Sequence, residues 1–209
     1  MTIAAQPGPD GSHTDLPGEK SRLTWTEAEA QRKAGQFALA GRAFHDLWNE
    51  RGQAASGWRY AYCLRKAGYP AAGLSVALRV LKSHPQDPAT LGEASWCVYF
   101  ARLKPAQAAQ DEEGVLQAAR EIVRIGSGGL PVELAVFAAV SAAKGKGHWG
   151  EVARWCDLLN PDDLSDEPQE GPKGSKIPSA RERYYYARVK SLVHLQRWPE
   201  ALGAVEQAR

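Results

Sequence analysis

Apolar residues recur at helical spacing from about residue 24 almost to the end of the chain, and abundant Ala favours helices over strands. The predicted helices come in pairs, most of them joined by a short turn that contains Gly. The pairs are 27–34 with 37–49, 55–67 with 70–83, 89–103 with 112–125, 132–144 with 149–159, and 180–195 with 199–209. Thr24 or Thr26 is expected to cap the first helix, because a hydroxyl accepts hydrogen bonds from the free N–H groups of a first turn.

Three segments interrupt this pattern. Residues 1–22 are rich in Pro, Gly, Asp and Ser, a composition that predicts a flexible tail ahead of a helical domain at 23–209. Residues 104–111 contain Pro105 and are expected to form a turn longer than the others. Residues 162–179 have acidic residues, prolines and no apolar period, which predicts a solvated loop inserted between helices.

The helix pairs repeat one another in sequence. Gly35 and Gly68 lie 33 residues apart, and Cys63 and Cys97 lie 34 apart. Three second helices share an apolar residue at their start and others three and seven positions later: Phe37, Ala40 and Phe44; Trp149, Val152 and Cys156; Trp198, Ala201 and Val205. Trp149 and Trp198, which open the last two of these helices, are 49 residues apart. When about 15 residues of the inserted loop are subtracted, the separation is about 34, the length of a tetratricopeptide repeat.

This arrangement resembles the tetratricopeptide-repeat (TPR) family, in which a helix, a Gly turn, an aromatic residue opening the next helix and a small residue three positions later follow in order. The second repeat shows the pattern most fully, at Tyr60, Ala61, Leu64, Gly68, Gly73, Leu81 and Pro85. The resemblance implies an all-α fold, a right-handed superhelical array of about five antiparallel helix hairpins. A related α-solenoid family is the alternative.

The resemblance also implies that the first helix of each hairpin lines a concave groove. Its inward positions in this chain are Trp25, Arg32, Lys33, Trp58, Tyr62, Arg65, Lys66, Trp96, Tyr99, Phe100, Arg183, Tyr186, Lys190 and His194. Basic and aromatic side chains of this kind suit an acidic or aromatic peptide. The alternative for the aromatic residues is burial in the core, and Trp149 and Trp198 are expected to be structural. One or two of Tyr184, Tyr185 and Tyr186 are expected to be exposed, because they fan around the helix.

Catalytic and metal-binding motifs are absent from the sequence, which contains no GxxxxGK[ST], HExxH or GxSxG. The five histidines are scattered, and the adjacent carboxylates, such as Glu112 and Glu113, point apart on a helix. We therefore expect a non-enzymatic protein without cofactor or metal.

Cys63, Cys97 and Cys156 are isolated and are expected to be buried free thiols.

The leading hypothesis is a scaffold that binds a peptide or partner domain in the groove. Single-stranded RNA or DNA is an alternative ligand, but 26 basic and 24 acidic residues leave a net charge of only +2, and Glu29 lies on the same surface. A regulatory module of a larger enzyme or effector is a third hypothesis.

The beginning of the chain lacks the features of a signal peptide, and no apolar stretch approaches the ~20 residues that span a bilayer, so a cytoplasmic location without membrane contact is expected. The last helix has no polar closing face, and terminal repeats normally need one. This predicts an N-terminal module of a longer protein, and the chain is expected to be a monomer or a dimer through the C-terminal repeat.

Overall fold

The computed structural model describes residues 23–126, 128–170 and 174–209, so the predicted tail at 1–22 lies outside the described residues. Within them the fold is helical apart from one pair of very short strands. The helices are α1 (Trp25–Lys33), α2 (Phe37–Arg51), α3 (Ala54–Lys66), α4 (Pro70–Ser83), α5 (Pro88–Val98), α6 (Lys104–Ala108), α7 (Glu112–Ile125), α8 (Gly129–Gly145), α9 (Trp149–Cys156), α10 (Ala180–His194) and α11 (Trp198–Gln207).

Local sequence signals set many of these boundaries. The predicted bounds of α4 and α7 agree with the structure at every end. Thr24 caps α1 in a reciprocal arrangement, in which its hydroxyl accepts from the Glu27 N–H and the Glu27 carboxylate accepts from the Thr24 N–H. Ser179 and Glu182 repeat this capping box at α10. Such boxes satisfy N–H groups that a helix leaves free, and they therefore mark where it begins.

The predicted turn at 104–111 is wrong over most of its length. The chain continues from α5 through a π-helical turn, Tyr99–Leu103, directly into α6, and only 109–111 remain as a link to α7. The π-turn shifts hydrogen bonding by one residue, so that the Lys104 N–H donates to the Tyr99 carbonyl. Pro105 follows in α6 directly after this π-turn.

The inserted segment after α9 is more ordered than predicted. A 3₁₀ turn covers Pro161–Asp163, and strands β1 (Gln169–Glu170) and β2 (Lys176–Ile177) pair antiparallel. Leu164 is buried beside the start of α10 rather than solvated. The segment therefore packs on the helices at one point, although most of its residues are exposed as expected.

Each helix packs mainly on its neighbours in sequence, and the helix hairpins α1–α2, α3–α4, α8–α9 and α10–α11 are confirmed. The third hairpin is α5, the π-turn and α6 with α7. Close packing needs small residues: a Cβ on Gly73 of α4 would lie 2.8 Å from the Ala61 carbonyl oxygen of α3. The first helices also contact one another, α3 with α5 and α5 with α8, which makes their exposed faces adjacent.

Candidate interaction surface

The predicted groove residues fall into two clusters on the first helices. The amino-terminal cluster, on α1, α3, α5 and the π-turn, contains Arg32, Trp58, Tyr62, Arg65, Lys66, Trp96, Tyr99 and Phe100. The carboxy-terminal cluster, on α10 and the adjoining ends of α8 and α9, contains Arg183, Tyr186, Lys190 and His194. Lys33 is exposed in the last turn of α1, and Trp25 packs edge-on against Phe44 in the core of the first hairpin.

A buried ion pair lies at the centre of the amino-terminal cluster. Arg65 Nε donates to Glu93 Oε1 at 2.6 Å, and Arg65 Nη2 donates to Glu93 Oε2 at 2.9 Å. The side chains are only 8% and 5% exposed. Burial lowers the pKa of Arg65, but the hydrogen bonds and charge of Glu93 outweigh that effect and the pKa is raised. Arg65, predicted as a partner contact, is therefore committed to an interaction inside the protein.

The arginines nearer α1 are also ion-paired. Glu29 accepts hydrogen bonds from Arg59 and from Arg32. Burial raises the pKa of the Glu29 carboxyl, while the two guanidinium groups lower it by more, so that it lies below its usual value. Arg59 also lies over the rings of Trp25 and Trp58, with its guanidinium carbon 4.7 Å and 4.1 Å from the centroids. Two guanidinium groups thus share one carboxylate, so this part of the surface keeps one net positive charge that is held in contacts inside the protein.

Lysines supply the free charge of the amino-terminal cluster. Lys66 Nζ lies 5.7 Å from the centroid of the Tyr62 ring, and Lys104 Nζ lies 5.6 Å from that of Phe100. Phe100 is 36% exposed and stacks on Trp96 at 5.9 Å. Among the described residues, no carboxylate lies within 4.0 Å of either amine. Two available ammonium groups thus flank a partly exposed aromatic surface.

The carboxy-terminal cluster has the same composition. Tyr186 is 61% exposed, whereas Tyr184 and Tyr185 are buried, which confirms that one of the three tyrosines faces outward. Lys144 Nζ and Lys190 Nζ lie 5.9 Å and 5.6 Å from the Tyr186 ring centroid. Neither lysine forms an ion pair with another described residue. The cluster is therefore an exposed phenol ring with two ammonium groups near it, and Lys190 Nζ also donates to the Tyr186 hydroxyl at 3.5 Å.

Two side chains of this region have a packing role. The Trp149 and His194 rings stack at 3.9 Å with 6° between their planes, and this contact joins α9 to α10. Arg183 lies between α8 and α10, with its guanidinium 4.3 Å from the Phe137 ring centroid and 4.0 Å from a Glu133 oxygen. Arg183, like Arg65, is thus an inter-hairpin contact.

The predicted groove residues do not include the acidic partners or two of the lysines. Arg59, Glu93, Lys104, Lys144 and Glu133 were not among the predicted groove residues, although each contacts one of them or a neighbouring ring. A signal was present: Glu29 and Arg59 are 30 residues apart, and Arg65 and Glu93 are 28 apart. Both separations are slightly shorter than the repeat length of about 34. A glutamate and an arginine at this separation therefore lie next to each other on two successive first helices.

No group of three His, Cys, Asp or Glu among the described residues is arranged to hold a metal ion. Cys63, Cys97 and Cys156 are confirmed as buried free thiols, and burial raises the pKa of Cys63 to about 12 and that of Cys156 to about 11.

In the part of the chain that the structure covers, no helix has the length and apolarity needed to span a membrane.

Comparisons with known protein families, with curated proteins and with solved structures found no match for this chain.

Proposed function

We propose that this protein is a non-catalytic interaction scaffold that binds an acidic peptide segment of a partner protein along the surface formed by its first helices. One observation carries the proposal. The arginines of this surface form ion pairs with Glu29, Glu93 and Glu133, whereas Lys66, Lys104, Lys144 and Lys190 form none with a described carboxylate, and each lies beside an aromatic ring. Free amines next to exposed rings can take up carboxylates while the rings contact apolar side chains.

The proposal includes a TPR-like superhelical path for the stacked hairpins. Packing between sequence neighbours and direct contact between α3 and α5, and between α5 and α8, support it. In such an array the first helices share one face, and a peptide laid across them reaches both clusters. A regulatory module of a larger enzyme or effector would use the same surface.

The test uses a random peptide library selected on the purified protein. We expect enrichment of peptides that combine Asp or Glu with aromatic or aliphatic residues. The variant Lys66→Glu, Lys104→Glu, Lys144→Glu and Lys190→Glu should bind the selected peptides about tenfold or more weakly, because each exposed charge contact contributes roughly 0.2–1 kcal/mol. Fluorescence anisotropy of labelled peptides measures the affinity.

A matched control changes four exposed cations outside the two clusters, Arg42, Arg51, Lys82 and Arg124, to Glu. Its change in net charge is the same, and we expect its affinity to remain within a few-fold of the original. Equal loss of binding in both variants would show a general charge effect and contradict a site at the first helices.

Single-stranded RNA or DNA is the second candidate ligand, because Tyr186 between Lys144 and Lys190 suits a stacked base with neighbouring phosphates. The net charge of +2 favours the peptide, because a nucleic acid carries a phosphate at every nucleotide and its binding calls for a more basic protein. A labelled oligonucleotide measured over a salt series separates the two, since phosphate contacts give a steep loss of affinity with salt. Tight, strongly salt-dependent binding of the oligonucleotide would favour nucleic acid.

A further inference from the structure

The turns of the first two hairpins border an open apolar pocket. Residues 32–35 and 65–68 share the sequence Arg-Lys-Ala-Gly, so α1 and α3 both end in Lys, and Gly35 and Gly68 take the positive φ that turns the chain. The pocket has a volume of about 370 Å³. We call it the turn pocket, and it is lined by Gly35, Gln36, Phe37, Ala38 and Leu39 of the first hairpin and Ala67 of the second.

Leu39 is a large apolar residue at a position where the other hairpins have none. It lies two places after the first residue of α2 and is 42% exposed. The equivalent residues are Ala72 in α4, Gly114 in α7, Glu151 in α9 and Glu200 in α11. The stacking of hairpins therefore does not require an apolar side chain here, and Leu39 is available to contact a ligand.

The turn pocket is continuous with the amino-terminal cluster. The Phe37 ring, which forms part of its wall, meets the Tyr62 ring edge-on, with 6.0 Å between the centroids. Lys66 Nζ lies 5.7 Å from the centroid of the same Tyr62 ring, and the next residue, Ala67, lines the pocket. A peptide bound at Lys66 therefore has the pocket within reach of a neighbouring residue.

Packing holds the Phe37 wall in place. Phe37 is half-buried against the core of the first hairpin, and Trp149, the equivalent residue of α9, is half-buried against His194. Trp198, the equivalent residue of α11, is instead 56% exposed, so the prediction that it is structural is wrong. Because the Phe37 ring is fixed before any ligand binds, little ordering is needed on binding, and this lowers the entropy cost.

Charge beside the turn pocket indicates the chemistry of its ligand. Lys33 and Lys66 are the last residues of α1 and α3, directly before the two turns. Both are exposed, and neither forms an ion pair within the described ranges. Two ammonium groups beside an apolar pocket suit a large apolar side chain flanked by acidic residues, whereas a basic segment would be repelled.

We propose, on the basis of the acidic-peptide function proposed above, that the turn pocket takes one large apolar side chain of the bound peptide while a neighbouring Asp or Glu pairs with Lys33 or Lys66. The volume is near the lower end of the ~300–1,000 Å³ of ligand pockets, which suits a single side chain. The apolar residue would determine affinity more than the acidic ones do, because exposed ion pairs contribute little.

The test uses peptides selected from the random library on the full chain. Replacing each peptide residue by Ala should identify one large apolar residue near an Asp or Glu whose loss weakens binding about tenfold or more. Leu39→Gln, which leaves the net charge unchanged, should weaken the original peptide by about the same factor and the Ala-substituted peptide hardly at all, since both changes remove one contact.

Two further variants show whether the effect belongs to the turn pocket. Leu39→Met keeps a flexible apolar side chain and should retain the affinity for the original peptide. Leu78→Gln is the matched control, because Leu78 of α4 is 44% exposed and lies outside the pocket. It should bind both peptides as the unchanged protein does.

Thiol labelling locates the bound peptide directly. In the free chain, Leu39→Cys and Leu78→Cys should react with a disulfide reagent at similar rates, because both positions are exposed. A saturating concentration of the selected peptide should slow the reaction of Leu39→Cys by about tenfold or more and leave that of Leu78→Cys unchanged.

Three results would overturn the proposal. Peptides that lose affinity in the four-lysine variant but bind Leu39→Gln normally would support the acidic-peptide function and show that the turn pocket is not used, whereas a library without any binding peptide would contradict both proposals. Slow labelling of Leu39→Cys in the free chain that Leu16→Asp accelerates would identify residues 1–22 as the occupant. A dimer by light scattering that Leu39→Gln converts to a monomer would identify a second copy.

Discussion

Arg65 on α3 and Glu93 on α5 join the second and third hairpins through a buried, doubly hydrogen-bonded ion pair. The Tyr62, Trp96 and Phe100 rings lie around the guanidinium at 5.2–5.8 Å. Removing one charge would leave the other buried without a counter-charge, which is more costly than removing both. The pair therefore links the folding of neighbouring repeats to the shape of the candidate surface.

Arg65→Ala is expected to lower the free energy of unfolding by about 3–5 kcal/mol, because the Glu93 carboxylate remains buried. The double variant Arg65→Met with Glu93→Met replaces both charges by apolar groups and should recover most of the loss. Urea unfolding followed by circular dichroism measures both values. Equal destabilisation by the single and double variants would show that packing volume, rather than the unpaired charge, accounts for the effect.

Glu29 makes the stability of the first two hairpins depend on pH. Its pKa in the folded state lies below its usual value because Arg59 and Arg32 outweigh the effect of burial. The stabilisation is therefore present above the unfolded pKa of about 4.3 and is lost as the pH falls through the folded pKa. Glu29→Gln should cost about 1 kcal/mol at pH 7. The difference between variant and original protein should shrink progressively as the pH falls below about 4.3.

Urea unfolding at pH 7, 5 and 3 provides the measurement for Glu29. Glu206→Gln is the control, since this exposed carboxylate forms no ion pair within the described part of the chain. It should leave stability nearly unchanged at each pH. A cost for Glu29→Gln that stays constant down to pH 3 would contradict the ion-pair account.

The helices were predictable because their signals are local. Thr24 with Glu27 and the Gly turns stand in the sequence within a few residues of the boundaries they set. The continuation through the π-turn into α6 was not predictable, since Pro105 ordinarily indicates the end of a helix. The packing of α7 against the π-turn favours the continuous helix from α5 to α6, and it outweighs the local tendency of Pro105 to end a helix.

The candidate surface was predictable in position but not in charge. The repeat length placed Tyr62, Trp96 and Phe100 on successive first helices, and the structure brings them together around Arg65. Whether a cation is free depends on a carboxylate about one repeat away, as for Arg65 and Glu93. The resemblance to a repeat family predicts which residues are spaced by one repeat. It does not predict which of them form ion pairs, because that depends on tertiary contacts.

Gly73→Ala should destabilise the contact between α3, α4 and α5. The added Cβ would lie 2.8 Å from the Ala61 carbonyl oxygen and 3.0 Å from the Cys97 sulfur, and backbone cannot move aside as a side chain can. Overpacking costs about 1–3 kcal/mol and exceeds the ~1 kcal/mol that Ala gains in helix propensity. Gly92→Ala in α5 is the control. It should raise the free energy of unfolding, because nothing lies within 4 Å of its Cβ position. Stabilisation by Gly73→Ala in urea unfolding would contradict the close approach of the helices.

The three thiols should report on opening of the array rather than on surface chemistry. Burial raises the pKa of Cys63 to about 12 and of Cys156 to about 11, and that of Cys97 is also raised by burial and by Glu93. The thiolate, which is the reactive form, is therefore scarce at pH 8 in the folded protein. We expect slow reaction with a disulfide reagent in buffer and rapid reaction of all three in urea, followed by absorbance. Ser75→Cys, on the exposed side of α4, should react at once under native conditions. Equally fast native reaction of Cys63, Cys97 or Cys156 would mean that the helices around that sulfur open readily.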